Sequence, residues 1–170
     1  DSSGDYEWRI EKRSLTTGEL IPSFGVAGVI QENPSPGYDS AAAVAVDSSG
    51  IYVIGRDATL DVSEWRIEKR SLTTGLLIAN FGIVTSNPSS GWDVALGIAV
   101  DSSGIYIVGV DESLGDRGWR VEKRSLTTGG LLWGKSNNPS AGKDYANGVA
   151  VDSSGVYIVG YDSCLLYTSP

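Results

Sequence analysis

The sequence contains no histidine and a single cysteine, Cys164. The first absence removes the side chain that most often acts as general base or metal ligand near neutral pH. One thiol closes no internal disulfide and builds no cysteine zinc site. Methionine is missing altogether, position 1 included. No apolar run is long enough to span a bilayer, and the opening residues lack the pattern of a secretory leader, so no membrane insertion is expected. Positive charge is short as well. Thirteen Lys and Arg stand against 21 Asp and Glu, a net charge of −8. Such a chain repels phosphate backbones, so nucleic acid is not an expected partner. The sequence also lacks a phosphate loop, a nucleophile beside a base, and a D-x-[DN]-x-[DN]-G calcium loop.

What is present is glycine, 22 residues of it, among stretches of Val, Ile, Tyr, Thr and Trp. These residues suit a pleated, half-buried surface and predict an all-β chain. They are arranged in copies. W-R-[IV]-E-K-R-S-L-T-T-G begins at Trp8, Trp65 and Trp119. [IV]-A-V-D-S-S-G-[IV]-Y-[IV]-[IV]-G places its aspartate at Asp47, Asp101 and Asp152 and its glycine at Gly50, Gly104 and Gly155, with Val44 opening the first copy. N-P-S-x-G-x-D begins at Asn33, Asn87 and Asn138. The tryptophans lie 57 and then 54 positions apart, a period of about 54 residues.

Each unit reads as four strands. Residues 95–100 place Leu96, Ile98 and Val100 on one face and Ala95, Gly97 and Ala99 on the other. Residues 105–109 are apolar on both faces, which predicts cover on both. The DSSG between them is hairpin chemistry. Residues 119–125 alternate, with Trp119 and Val121 on one face and Arg120, Glu122 and Arg124 on the other, the pattern of a half-exposed strand. The fourth strand, around residues 131–133, is the least regular. No stretch sustains a 3.6-residue period. WRIEKR alone is too short to hold a helix between β-rich runs.

Four-stranded units at this period are the signature of β-propeller blades. The string GIAVDSSGIYIVGVD resembles the bacterial SBBP-type β-propeller repeat, and NFGIVTSNPSSGWDVALGIAVD is similar to the delta-60 type repeat. The resemblance covers nearly the whole chain and implies a propeller fold. Such repeats occur mostly in secreted or envelope-associated bacterial and archaeal proteins, which implies an extracellular or cell-envelope location. The expected organisation is one repeat region over residues 1–163, with a half blade at 1–32, blades at 39–86 and 93–137, and a half blade at 144–163. Because propellers close with about four to eight blades, the remaining blades of a longer parent are expected partners. Residues 164–170 break the repeat and resemble the translation of a transposase adapter used in sequencing libraries. They are read as a non-native tail, carrying the only cysteine with them.

The candidate sites are few. Asp47, Asp101 and Asp152, with Asp57, Asp111 and Asp162, are expected to cap turns rather than hold calcium, which needs six or more oxygens on one centre. Nine of the thirteen Lys and Arg lie in the WR-x-EKR strands and are expected to pair with Glu11, Glu68 and Glu122 across strands and between blades. Trp8, Trp65 and Trp119 recur in every unit and are expected to wedge between blades. Trp92, Tyr38 and Trp133 are the ligand-binding candidates. Trp92 stands where other copies have Tyr38 and Lys143, and Trp133 is set against Pro22 and Ala79. A residue that differs between near-identical copies is not needed to build the unit. No catalytic residue, metal or cofactor is expected. The expected role is a binding or scaffold module for a protein or polysaccharide. The rivals are a propeller enzyme with its site in other blades and a purely architectural spacer.

Overall fold

A computed structural model describes residues 6–59 and 62–163. The tail at 164–170, with Cys164, lies outside the described residues. The described residues are all β: twelve antiparallel strands in four sheets, with no helix among them. Strands β1 (Trp8–Glu11) and β2 (Val29–Glu32) pair in the first sheet. The second sheet holds β3 (Ser40–Asp47), β4 (Gly50–Thr59), β5 (Val62–Arg70) and β6 (Ile83–Ser86) in chain order. The third holds β7 (Val94–Asp101), β8 (Gly104–Asp111), β9 (Gly118–Arg124) and β10 (Leu131–Asn137). The fourth pairs β11 (Tyr145–Val151) with β12 (Val156–Tyr161). No sheet closes on itself.

The hairpins follow from their letters. Asp47 Oδ1 accepts from the amides of Ser49 at 2.7 Å and Gly50 at 3.0 Å, and its Oδ2 accepts from the Tyr52 hydroxyl at 3.1 Å. Asp101 and Asp152 make the same amide bonds in their turns. At the same end of the sheets, the hydroxyls of Ser14, Ser71 and Ser125 accept from the amides of the following threonines in the SLTTG turns. One local turn therefore satisfies backbone donors that a strand end leaves unpaired.

The sheets stack through their tryptophans. The Trp8 indole donates from Nε1 to the Arg56 carbonyl of the second sheet at 3.0 Å. Trp65 does the same to Val110 of the third, and Trp119 to Tyr161 of the fourth. In each case the ring lies over the glycine one residue earlier: Gly55, Gly109 and Gly160. A Cβ at Gly109 would overlap the Val94 carbonyl oxygen and stand 3.0 Å from the Trp65 ring. Only glycine lets the indole and the backbone approach this closely. Lysines add a second tie. Lys12 Nζ donates to the Leu72 carbonyl at 2.7 Å, and Lys69 Nζ to that of Leu126 at 2.9 Å.

Between the second and third sheets lies the main core, with Tyr52, Ile54, Trp65, Ile67 and Phe81 against Ala95, Ile105 and Ile107. A smaller one joins the first sheet to the second through Trp8, Phe24, Ile51 and Val53. Strand β8 is buried along its whole length, as a strand apolar on both faces requires. First strand β7 lies beside both β3 and β11, and Gly97 of β7 closely faces the β11 backbone at Asn147 and Gly148.

The charged face of the third strand departs from expectation in the second and third copies, whereas in the first Arg9 and Arg13 stay exposed. It was expected to be half exposed and paired across strands and between units. Instead Glu68 and Glu122 are wholly buried, with Arg70 and Arg124 beside them. The pairing runs along the strand. Glu68 takes Arg66 on one oxygen and Arg70 on the other, and Glu122 does so with Arg120 and Arg124. Residues two apart on a strand share a face, so Arg-Glu-Arg closes into a clamp without help from a neighbour. Bidentate, charge-assisted bonds offset the desolvation. The expected contact between units survives once, where Arg70 also meets Glu32 of β2. Asp57 likewise departs from its expected turn-capping role, pairing with Arg66 at 3.2 Å, whereas Asp111 accepts from the Ser113 amide at 3.0 Å.

Candidate functional site

The opposite end of the sheets is built by another repeated device. In the loop from each sheet to the next, an aspartate clasps a serine four residues before it. Asp39 accepts from the Ser35 amide at 2.7 Å and hydroxyl at 2.8 Å, and from the Ala58 amide at 2.9 Å. Asp93 holds Ser89 and the Glu112 amide, and Asp144 holds Ser140 and the Ser163 amide. The clasp fixes the inter-sheet loop to the end of the second strand or the residues just after it. Burial raises the Asp93 carboxyl above its ordinary range against the pull of the Ser89 bonds. At Asp144 burial acts the same way, but the bonds from Ser140 and Ser163 outweigh it and the pKa is lowered. The first strand carries a bulge just inside this rim in all three copies, after Ala41, Ala95 and Ala146. Bulges re-aim side chains, and these sit where the rim begins.

On this clasped frame stands a row of rings and guanidinium groups. The Tyr6 and Tyr38 ring centroids lie 4.4 Å apart. Arg56 Cζ is 5.2 Å from the Tyr38 centroid and 5.8 Å from that of Trp92. Arg117 also stacks on Trp92, at 4.1 Å. Its Nη1 donates to the Tyr145 hydroxyl, and the Tyr145 ring stacks on Tyr161 at 4.9 Å. The row crosses all four sheets. Its members occupy positions where the copies disagree: Tyr6, Ser63 and Arg117 are equivalent, as are Tyr38, Trp92 and Lys143, and Arg56, Val110 and Tyr161.

The two guanidinium groups are held differently. Burial would lower the Arg117 pKa, but bonds to Tyr145 and Glu112 outweigh it and hold the group above its ordinary value. Glu112 Oε1 lies 3.2 Å from Arg117 Nε, and its other oxygen accepts from the Trp92 amide. Arg56 has no carboxylate within ion-pair distance among the described residues. Its Nε is buried without a hydrogen-bond partner, and burial pulls its pKa down against the opposing charges of Tyr38 and Asp39.

Of the three ligand-binding candidates, Tyr38 and Trp92 sit together in this row. Trp133 does not. Its counterparts in space are Phe24 and Phe81, not Pro22 and Ala79. The Tyr106–Trp133 pair repeats the edge-on Tyr52–Phe81 pair, at 6.4 and 6.0 Å. Phe81 is 4% exposed because Gly129 of the next sheet packs on it, whereas Trp133 is 38% exposed. The stretch from the turn glycine to the ring is six positions in the first two copies (Gly18 to Phe24, Gly75 to Phe81) and four in the third (Gly129 to Trp133), which misplaces an alignment counted from the turn. Arg56, Arg117 and Tyr145 were missed as site residues. Their signal was there: each differs from its equivalents in otherwise near-identical units. The clasp aspartates were missed too, though S-x-x-x-D recurs three times.

Among the described residues no three carboxylates, histidines or cysteines converge on a point that could hold a metal ion. Comparison with known proteins finds no matching family model, curated protein or solved structure.

Proposed function

We propose that the four sheets are consecutive blades of a β-propeller, and that the chain serves as a non-catalytic binding or scaffold module of a secreted or cell-surface protein. Its partner is a protein or polysaccharide held on the clasped rim. Tandem units at one period, stacked through an indole on a glycine, favour the blade reading. The observation that carries the function is the placement of the differences. Residues that build the units recur in each copy, while the rim row changes its rings and cations.

Rim substitutions test this. Tyr38→Ser and Trp92→Phe should leave the urea unfolding midpoint nearly unchanged. They should reduce retention of the chain in gels carrying soluble cell-wall polysaccharides, or on bacterial envelope protein extracts, by about tenfold, the scale of one lost aromatic contact. Retention unchanged in every matrix would remove the rim from the function.

A further inference from the structure

We propose that Arg56, held between the Tyr38 and Trp92 rings, is the carboxylate-binding point of a site for an acidic polysaccharide made of uronic acid units. The inference rests on the rim reading above and names the ligand class of that rim. Seven arginines of the described chain pair with a carboxylate: Arg9, Arg13, Arg66, Arg70, Arg117, Arg120 and Arg124. Arg56 does not, although acidic residues outnumber basic ones in the sequence by 21 to 13. Its Nε is buried, and neither Nη donates to the described residues, so the two Nη groups are uncommitted. A guanidinium offers a planar fork of donors that matches a carboxylate in two parallel bonds.

The neighbours of Arg56 select a sugar. Tyr38 is 48% exposed, and Tyr6 beside it is also exposed, so exposed aromatic surface flanks the cation. Aromatic faces stack on the C–H faces of pyranose rings. Lys143, the copy-equivalent of Tyr38 and Trp92, is exposed and also lacks an ion pair among the described residues, which supplies a second cation further along the rim. A row of rings with free cations at intervals fits a chain of sugars bearing repeated carboxylates. A peptide strand fits less well. Beside Arg56 the backbone is already bridged, Tyr6 to Tyr38 and Ser63 to Trp92, so a strand could not add there through those residues. The net charge of −8 opposes polyanions at long range, but charges beyond a Debye length of about 8 Å are screened at physiological salt.

The test is affinity electrophoresis of the full chain in gels containing polygalacturonate, the same polymer fully methyl-esterified, or neutral galactan. The unmodified chain is expected to be retarded at least tenfold more strongly by polygalacturonate than by either neutral polymer, with the difference shrinking as salt rises. Arg56→Gln is expected to abolish that difference while keeping the weak neutral retardation. Arg56→Lys, which keeps the charge but loses the planar fork, should retain part of it. A cooperative melt checks the fold of each variant. Equal retardation by all three polymers, reduced by Tyr38→Ser, would overturn the acidic-ligand inference and leave the rim reading standing. An acid preference that survives Arg56→Gln would overturn the assignment to Arg56. Retardation by none of the polymers would overturn the glycan ligand, and the loss or persistence of envelope-protein retention in Tyr38→Ser would then decide the rim reading separately.

Discussion

At the end that carries the DSSG and SLTTG turns, three copies use the same letters to make the same bonds. At the other end, a conserved clasp of Ser35 and Asp39, Ser89 and Asp93, or Ser140 and Asp144 holds up side chains that differ in every copy. The turn end is bound by geometry: each amide there has one acceptor at the right place, and a changed letter loses a bond. On the rim the clasp already satisfies the backbone, so the positions beside it are released from structural duty. Uniformity therefore marks what the stack requires, and diversity marks what it leaves free.

The sharpest way to break this comparison is to remove one tryptophan from each class. Trp65 is buried between sheets and bonded to Val110, so Trp65→Ala should cost about 3–5 kcal/mol. Trp92 on the rim loses only ring and guanidinium contacts, so Trp92→Ala should cost about 1–2 kcal/mol. Urea denaturation of the two variants measures both. Equal losses would mean that the rim row is framework after all.

A smaller contrast uses glutamates. Glu68→Gln leaves Arg66 and Arg70 buried beside a neutral amide and should cost about 3 kcal/mol. Glu112→Gln weakens a partly exposed pair with Arg117 and should cost at most about 1 kcal/mol. Thermal melts at matched ionic strength, with a double variant at each site, separate the two. A large cost at Glu112 would show that the rim row supports the stack.

The all-β character was legible because the period-two and turn signals recur three times, and repetition filters out chance. Trp65 was legible as a packed position for the same reason, whereas Gly109 under it was not singled out. The clamps around Glu68 and Glu122 were not. A strand of alternating charge reads as solvent-facing, and only the neighbouring sheet shows that Arg-Glu-Arg neutralises itself and can be covered. Trp133 was misplaced because its loop changes length, so counting residues set it beside Ala79 while packing sets it beside Phe81. Arg56 escaped notice because charge in a sequence gives no hint of whether a carboxylate stands near it in space.

The subtlest contrast is in acid. In the DSSG turns the carboxyls of Asp47, Asp101 and Asp152 are lowered. For Asp47 and Asp101 burial works the other way and the serine and glycine bonds outweigh it; for Asp152 the Ser154 bond leads. A lowered carboxyl contributes stability above its unfolded value, near pH 4, and loses it as pH falls through the folded value. On the rim Asp144 is lowered like the turn carboxyls, but Asp93 is raised by burial and has the opposite sign. Its contribution is present below the unfolded value and is lost as pH rises through the folded one. Acidification from neutral pH should therefore first relieve Asp93 on the rim and only then weaken the turns. The double variant Asp47→Asn and Asp101→Asn should flatten the loss of stability below pH 4, while Asp93→Asn should remove a shallow gain above it. Urea midpoints across the acid range measure both slopes. If Asp93→Asn steepens the acid limb instead, its carboxylate belongs with those of the turns, and the two ends differ in their letters but not in their electrostatics.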